Sequence, residues 1–187
     1  MASFQHEDSF VIPEGNFYFH GTTLSSAKSL LEGNPVKPIY EQMVEECAKF
    51  GADIEDLKQD TEIWPFFRDY ILGKDRDEVL YVTDRFAKAR SYATSAPEWR
   101  WHITKWLHHP QDFAVFNSPI GYEEWYFDRH KADVPVVLVI RDPAQAPEPD
   151  DALHRLTYSG GEFKLPFPLA NDIEILHVVE VSRQENQ

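Results

Sequence analysis

The apolar patterning changes along the chain, and this change constrains the fold more than any other feature of the sequence. The first half carries apolar residues at helical spacing, as in the stretch 40–50, whereas the second half carries short strand-like runs such as Val134–Arg141 and Ile173–Val181. Few β–α–β alternations connect the two kinds of segment. This order favours an α+β domain over a doubly wound fold.

Local patterns, turn residues and cap residues divide the chain further. We predict strands at 16–19, 79–83, 134–141, 153–157, 162–165 and 173–181. We predict helices at about 25–31, 40–50, 65–72, 86–93, 95–107 and 122–130. Ser25 and Ser26 are suited to cap the first helix, and Gly33 is suited to end it. The acidic, Pro-rich stretch 142–151 predicts a surface loop.

Composition indicates a folded protein and limits the classes of partner that it can bind. The length of 187 residues suits one domain, and an aromatic content of 14% argues against disorder. The net charge of −14, from 18 Lys+Arg and 32 Asp+Glu, argues against broad binding to nucleic acid or to an anionic membrane. The one cysteine, Cys47, excludes an internal disulfide and a Cys-rich zinc site, and its helical context predicts a partly buried core residue.

Several motifs that would assign another function are absent from the sequence. The chain has no GxxxxGK[ST] phosphate loop, no GxGxxG after a strand, no HExxH and no GxSxG. The spacing of His102, His108 and His109 does not put three ligands on one helix face, so we predict no metal site. The N-terminal residues show no apolar signal segment, and the longest apolar run, 134–140, is far shorter than a membrane span of about 20 residues. We therefore expect a cytoplasmic protein with no membrane partner, and delivery into another cell stays open.

Three separated segments place polar or aromatic residues in or at the end of predicted strands, next to small residues. The strand at 16–19 leads into His20-Gly21-Thr22, where a glycine allows close approach to the backbone. A strand tyrosine, Tyr81, and a helix tyrosine, Tyr92, are 11 residues apart.

The third segment places Glu162 at the start of a strand, after two glycines. Glu174 and Glu180 on the next strand compete with it for a catalytic role. All three segments also have simpler interpretations, which are a strand-end turn, two core tyrosines and a solvated edge glutamate.

Taken together, these segments resemble the ADP-ribosyltransferase superfamily, in particular its H-Y-E branch, which includes the poly(ADP-ribose) polymerases and the diphtheria-toxin-like enzymes. His20-Gly21-Thr22 is similar to the H-G-[S/T] element of that family, and Tyr81 and Tyr92 resemble its two nicotinamide-sandwiching tyrosines at the same spacing. The strand that begins at Glu162 resembles the one that carries the family's glutamate. The resemblance implies an α+β split β-sandwich with an NAD-binding cleft, formed by one domain over 1–187 with an inserted helical lobe at about 36–77.

The resemblance also implies an activity and a set of site residues. The activity is NAD⁺-dependent mono-ADP-ribosyl transfer to a macromolecule, as in a toxin or a defence effector, with NAD as substrate and no metal. The implied catalytic residues are Glu162, His20 and Tyr81, and the implied NAD-binding residues are His20, Gly21, Thr22, Tyr81 and Tyr92. Glu162 supplies the anion beside a cationic ribose, and the two tyrosines stack on the nicotinamide ring.

Two positions depart from the pattern of the family. Gly160 lies two residues before Glu162, where the arginine-modifying branch carries Glu or Gln, so arginine modification in that style is disfavoured. Ala89 stands where polymerase relatives carry a serine that binds the nicotinamide amide.

The acceptor is less well defined by the sequence. The stretch 84–105 carries five basic and two acidic residues, a net charge of +3, which fits the NAD pyrophosphate or an anionic acceptor as well as solvated helix faces. Protein and nucleic acid both stay open as acceptors, and an acidic toxin-like enzyme often has a neutralising partner protein. The alternatives are an RNA 2′-phosphotransferase-like enzyme and a catalytically inactive module that binds ADP-ribose or NAD.

Overall fold

The computed structural model describes residues 2–34, 39–61, 64, 65, 68, 79–95, 98–107, 133–141, 148, 149, 162–166, 169, 171 and 173–183. The chain divides into two compact units. The sheet unit comprises Met1–Val36, Glu78–Ser95 and Ala132–Gln187, and the helical unit comprises Lys37–Asp77 and Ala96–Lys131. The helical unit thus includes nearly all of the insertion at about 36–77 that the resemblance implies, together with Ala96–Lys131, which was not part of that prediction.

The sheet unit is built on a seven-stranded mixed sheet with the order β1-β7-β4-β2-β3-β6-β5. Its strands are β1 (Ser3–His6), β2 (Phe17–Thr23), β3 (Val79–Thr83), β4 (Pro135–Arg141), β5 (Glu148–Pro149), β6 (Glu162–Pro166) and β7 (Glu174–Glu180). β1 runs parallel to β7, and all the other neighbours are antiparallel. The sheet and its helices confirm the predicted α+β class.

The apolar run at 134–141 forms the central strand of the larger half of this sheet. The five residues from Val136 to Ile140 are buried on both faces of β4, as their continuous apolar character requires. β4 pairs with β2 over seven residues and with β7 over six. The predicted strands at 79–83, 134–141, 162–165 and 173–181 are all confirmed, with small shifts at their ends.

Within the described residues, the ladder between β2 and β3 has fewer registered pairs than any other ladder of the sheet. These two strands share one registered pair, Phe19 with Thr83, whereas β3 and β6 share five. The four strands β1, β7, β4 and β2 are therefore joined to β3, β6 and β5 at a narrow seam. Backbone carbonyl groups near this seam are available to side chains, because few ladder hydrogen bonds use them.

A helix covers each face of the sheet. α1 (Leu24–Leu31) contributes Ala27 and Leu30 to one core, and α4 (Phe86–Thr94) contributes Ala89 and Ala93 to the other. α1 is capped by Thr23, whose Oγ1 accepts from the backbone N–H of Ser26, so the prediction of Ser25 or Ser26 as the cap is wrong. Gly33 follows the helix at φ +84°, a left-handed conformation that favours glycine, and it ends the helix as predicted.

Two strands in the described residues were not predicted. β1 is polar and largely exposed, so it has no apolar alternation, and it forms by pairing with the strong strand β7. β5 is a two-residue strand inside the stretch predicted as a loop, where Glu148 and Pro149 pair with β6. The predicted strand at 153–157, the predicted helix at 122–130 and most of the predicted helix at 65–72 lie outside the described residues.

The helical unit contains α2 (Ile39–Lys49), α3 (Ile54–Gln59) and α5 (Glu98–Leu107). α3 was not predicted from the sequence, and it begins at the cap residue Asp53. The core of the helical unit includes Met43, Cys47, Leu57 and Ile103. Burial, with the nearby carboxylates of Glu46 and Asp53, raises the pKa of the Cys47 thiol to about 11, so this side chain is a packing residue and not a thiolate nucleophile. None of the helices in the described parts of the chain has the length and apolar composition needed to cross a membrane.

Gly21 in β2 marks the point where α4 crosses the sheet. A Cβ atom built on Gly21 would collide with the carbonyl oxygen of Ala89 and would lie 2.8 Å from the backbone nitrogen of Ala93. The helix and the strand therefore meet backbone to backbone, with two alanines beside the glycine. The close packing of α4 on β2 therefore explains why position 21 is a glycine, and the predicted role of Gly21 in binding NAD stays a prediction.

We predict that Gly21→Ala lowers the free energy of unfolding by about 3 kcal/mol or more, since the neighbouring atoms are backbone and cannot rotate away. Gly33→Ala is the matched control. It meets nothing within 4 Å and should cost about 1–2 kcal/mol from left-handed strain alone. Urea unfolding of both variants measures the difference. Equal losses would show that α4 does not pack on β2 as closely as described.

Candidate active site

Glu162 is a buried carboxylate at the start of β6. The residue is 5% exposed, and in register it lies opposite Thr83 of β3. Its Oε1 accepts a hydrogen bond from the Tyr92 hydroxyl and lies 2.5 Å from Lys88 Nζ. Burying a charged group costs several kcal/mol unless a partner compensates it, and Lys88 and Tyr92 provide that compensation.

Both partners of Glu162 come from α4. Lys88 and Tyr92 are four residues apart, so they lie on one side of the helix, and Lys88 Nζ is 6.0 Å from the centroid of the Tyr92 ring. The Lys88 side chain is only 15% exposed, whereas Tyr92 is 51% exposed. The tyrosine thus holds the carboxylate through its hydroxyl and still presents much of its ring to solvent.

Tyr81 shares a sheet face with Glu162. Tyr81 pairs in register with Lys164 and Thr83 pairs with Glu162, and residues directly opposite in an antiparallel ladder point to the same side. Lys164 Nζ lies 5.9 Å from the centroid of the Tyr81 ring, which puts a cation near this ring already. This sheet face therefore presents a tyrosine, a lysine and a carboxylate along two neighbouring strands.

His20 is joined to Tyr81 across the seam between β2 and β3. His20 Nδ1 donates to the Tyr81 carbonyl oxygen at 2.7 Å, and because a carbonyl can only accept, the proton is on Nδ1. Burial lowers the pKa of His20 below its usual value of 6.5, against the smaller raising effect of this hydrogen bond. At neutral pH the ring is therefore neutral, and Nε2 carries a lone pair that can accept a hydrogen bond.

The face of β2 that carries His20 differs from the face of Gly21. Phe19 and Gly21 point toward α4, so His20 and Thr22, which alternate with them, point to the opposite side. Thr22 pairs in register with Val136 and is partly buried. His20 reaches the other predicted residues through the backbone of Tyr81, not through their side chains.

The structure thus joins four of the predicted residues in two pairs. His20 is hydrogen-bonded to Tyr81, and Tyr92 to Glu162, over sequence separations of 61 and 70 residues. Gly21 supports the helix that carries Tyr92. Among the described residues no group of three His, Cys, Asp or Glu side chains is arranged to hold a metal ion.

The two competing glutamates lie elsewhere. Glu174 is half-exposed on β7 and forms a surface ion pair with Arg141. Glu180 is at the other end of β7, and its Oε1 lies 3.7 Å from Nε2 of His6. β7 is separated from β6 by β4, β2 and β3, so neither of these glutamates lies on a strand next to Glu162.

The prediction from sequence missed Lys88 as a partner of Glu162 and Arg90 as a partner of Glu7. Lys88 and Arg90 were counted only as part of the basic stretch 84–105, but each is engaged by an acidic side chain at 2.5 Å. The available signal was the spacing of Lys88 and Tyr92, four residues apart in a predicted helix, which puts them on one side.

Comparisons of the chain with protein-family models, with curated proteins and with solved structures found no match. The function is therefore inferred from the geometry of the site. The decisive parts of that geometry are the buried carboxylate of Glu162, its two partners on α4 and the neutral imidazole of His20.

We predict that Lys88→Met lowers the free energy of unfolding by about 3 kcal/mol, because Glu162 then remains buried beside an apolar side chain. The double variant Lys88→Met/Glu162→Gln should recover part of this loss, since the buried charge is also removed. Arg141→Met is the control, because it breaks a half-exposed pair with Glu174 that contributes about 0–1 kcal/mol. Chemical denaturation is the measurement, and equal costs for the two single variants would contradict the buried pair.

We predict that His20→Asn flattens the pH dependence of stability. Because the folded pKa of His20 is lowered, protonation favours the unfolded state, and stability is lost as pH falls below about 6.5 and through the folded pKa. Asn retains an N–H that can donate to Tyr81 but does not titrate. The gap in unfolding free energy between wild type and variant should therefore narrow between about pH 7 and about pH 5. Parallel curves would mean that His20 is not buried as described.

Proposed function

We propose that this protein is an NAD⁺-dependent ADP-ribosyltransferase that acts on a macromolecular acceptor. The observation that carries the proposal is that the Tyr92 hydroxyl donates to the buried Glu162, while His20 donates to the backbone carbonyl of Tyr81. The four residues come from three distant segments, and the resemblance to the H-Y-E branch had named all four. The single registered pair between β2 and β3 also fits a sheet that splits at the cleft.

The reaction requires a fixed anion more than it requires an acid. When the bond between the ribose C1′ and the nicotinamide nitrogen breaks, both electrons leave with the nitrogen, so nicotinamide departs neutral and the ribose becomes positively charged. Glu162 supplies a carboxylate already in place to stabilise that charge, as carboxylates do in glycosidases. Its contacts with Lys88 and Tyr92 are both made to Oε1. We assign Oε2 to the ribose 2′-hydroxyl or to the attacking group.

The two tyrosines provide the surface for the cationic nicotinamide ring. Tyr92 has an exposed ring on α4, and Tyr81 lies on the sheet face that this helix packs against. Stacking of a planar cation on a tyrosine contributes about 0.5–2 kcal/mol per contact. The ring of Tyr81 already has a Lys164 ammonium at 5.9 Å, which a nicotinamide cation would have to displace or share.

His20 and Thr22 point to the sheet face opposite α4 and Glu162, so we assign them a supporting role. The imidazole of His20 donates from Nδ1 to the Tyr81 carbonyl and holds the backbone of β3 that carries the Tyr81 ring. The contacts of His20, Gly21 and Thr22 with NAD that the resemblance implies are not part of this proposal. The transfer is completed when a nucleophilic oxygen or nitrogen of the acceptor attacks C1′ and gives its proton to Glu162 or to solvent.

We predict that Glu162→Gln lowers the rate of nicotinamide release from NAD⁺ by about 10²–10³-fold, since the amide has no negative charge to stabilise the cation. Glu174→Gln is the matched control. It makes the same change on a half-exposed glutamate of β7 and should retain the wild-type rate. Nicotinamide is quantified by chromatography, with circular dichroism to establish that both variants fold.

The outcomes distinguish the competing functions. Wild-type turnover in Glu162→Gln, or loss in Glu174→Gln, would refute the assignment of Glu162. Binding of NAD⁺ in calorimetry without release of nicotinamide on any protein or nucleic-acid acceptor would indicate an inactive binding module. Transfer of a 2′-phosphate from RNA to NAD⁺ would indicate a 2′-phosphotransferase. Mass spectrometry after incubation with labelled NAD⁺ identifies the acceptor.

A further inference from the structure

The N-terminal segment is tied to α4 by a closed polar network. Arg90 Nε lies 2.5 Å from Glu7 Oε1, and Arg90 Nη2 donates to the Ser182 carbonyl at 2.9 Å. The backbone N–H of Ser182 in turn donates to Glu7 Oε2 at 3.2 Å. Both oxygens of Glu7 and two nitrogens of Arg90 are therefore engaged, and the network links three segments far apart in sequence.

The same segment also makes an apolar contact with the helix. The ring of Phe10 lies 5.3 Å from the ring of Phe86, the first residue of α4, and 5.8 Å from His177 on β7. Phe10 and Phe86 both pack against the buried cluster that contains Ala89 and Ala93. Residues 7–10 thus hold α4 at its first turn and at its middle.

These contacts lie on the side of α4 away from Glu162. Residues on an α-helix are separated by about 100°, so Phe86 and Arg90 share one side, and Lys88 and Tyr92 share the opposite side. Ala89 and Ala93 lie between the two sides and rest on β2 at Gly21. The helix is therefore anchored to the sheet along its middle, with Glu162 on one side and Glu7 on the other.

Alanine and glycine form a close contact but provide little interlocking. Where Ala89 and Ala93 meet Gly21, no large side chains interlock, so the rotation of α4 is set by the contacts beside this line, which are the ring of Phe86 against Phe19 and Phe10 and the polar pairs. Rotation of the helix would move the Tyr92 hydroxyl and Lys88 Nζ away from Glu162. The Glu7–Arg90 pair opposes this movement, because its side chains are largely buried and both are held by the backbone of Ser182 as well.

We propose that Glu7 and Arg90 are positioning residues of the active site, which fix the rotation of α4 so that Tyr92 and Lys88 meet Glu162. This inference rests on the proposed function for its kinetic consequence, but the mechanical consequence for α4 does not depend on it. The N-terminal segment is then part of the catalytic architecture through its contacts with α4.

The test is a double-variant cycle with Glu7→Gln, Arg90→Gln and the pair combined. Because a small misplacement of reacting groups can cost up to about 10²-fold in rate, we expect each single variant to lower kcat for nicotinamide release by about 10-fold, with KM for NAD⁺ changed less. The double variant should be no slower than the slower single variant, since both remove the same contact. Arg90→Lys retains the charge but loses the forked geometry, and its kcat should lie between wild type and Arg90→Gln.

Asp8→Asn is the matched control, because it removes the same charge from the neighbouring residue, whose side chain is 92% exposed. Amide hydrogen exchange over residues 86–94 is measured on all variants, and we expect faster exchange in Glu7→Gln than in Asp8→Asn. Equal exchange in these two variants would overturn the positioning role, whether or not the protein turns over NAD⁺. Faster exchange with no nicotinamide release by wild type would retain the positioning of α4 and refute the proposed function instead. Additive kinetic effects in the cycle would show that the two residues do not act as a pair.

Discussion

The close approach of α4 to Gly21 is the contact on which the rest of the sheet unit depends. Because the glycine has no side chain, the helix backbone lies directly on β2, and this short distance brings Lys88 and Tyr92 within reach of the start of β6. A bulkier residue at position 21 would lift the helix from the strand. The glycine next to His20 is thus explained by helix packing before any contact with a ligand is considered.

In the structure, two of the basic residues near the candidate site are engaged in ion pairs. The overall charge is −14, yet the helix beside the candidate site carries Lys88 and Arg90, which belong to the net basic stretch 84–105. Each of these cations is paired with an acidic side chain, one with Glu162 and the other with Glu7. Part of the local positive charge therefore serves internal ion pairs, and less of it is available to attract an anionic acceptor than the sum over 84–105 indicates.

Sequence patterns predicted the elements that have strong apolar signals and missed those whose formation depends on a partner. β4 and β7 were predicted because long apolar runs require burial, whereas β1 forms only by pairing with β7 and carries no pattern of its own. In the site, the residue types were predicted, but the hydrogen bond from His20 to a backbone carbonyl was not. Every residue has such a carbonyl, so the sequence does not show which one a side chain contacts. The pairing of Lys88 with Glu162 spans 74 positions and depends on how α4 lies on the sheet.

On the proposed function, stacking of the nicotinamide and orientation of the carboxylate are coupled through one side chain. The Tyr92 hydroxyl holds Glu162, and the ring of the same residue presents the surface for the cation. Neither task can be adjusted alone, since any rotation of α4 changes the position of the ring and of the hydroxyl together. On this proposal, the precision of the site is set by the packing of one helix of nine residues, and contacts on the far side of that helix, at Glu7 and Phe10, would influence the chemistry at Glu162 through its rotation.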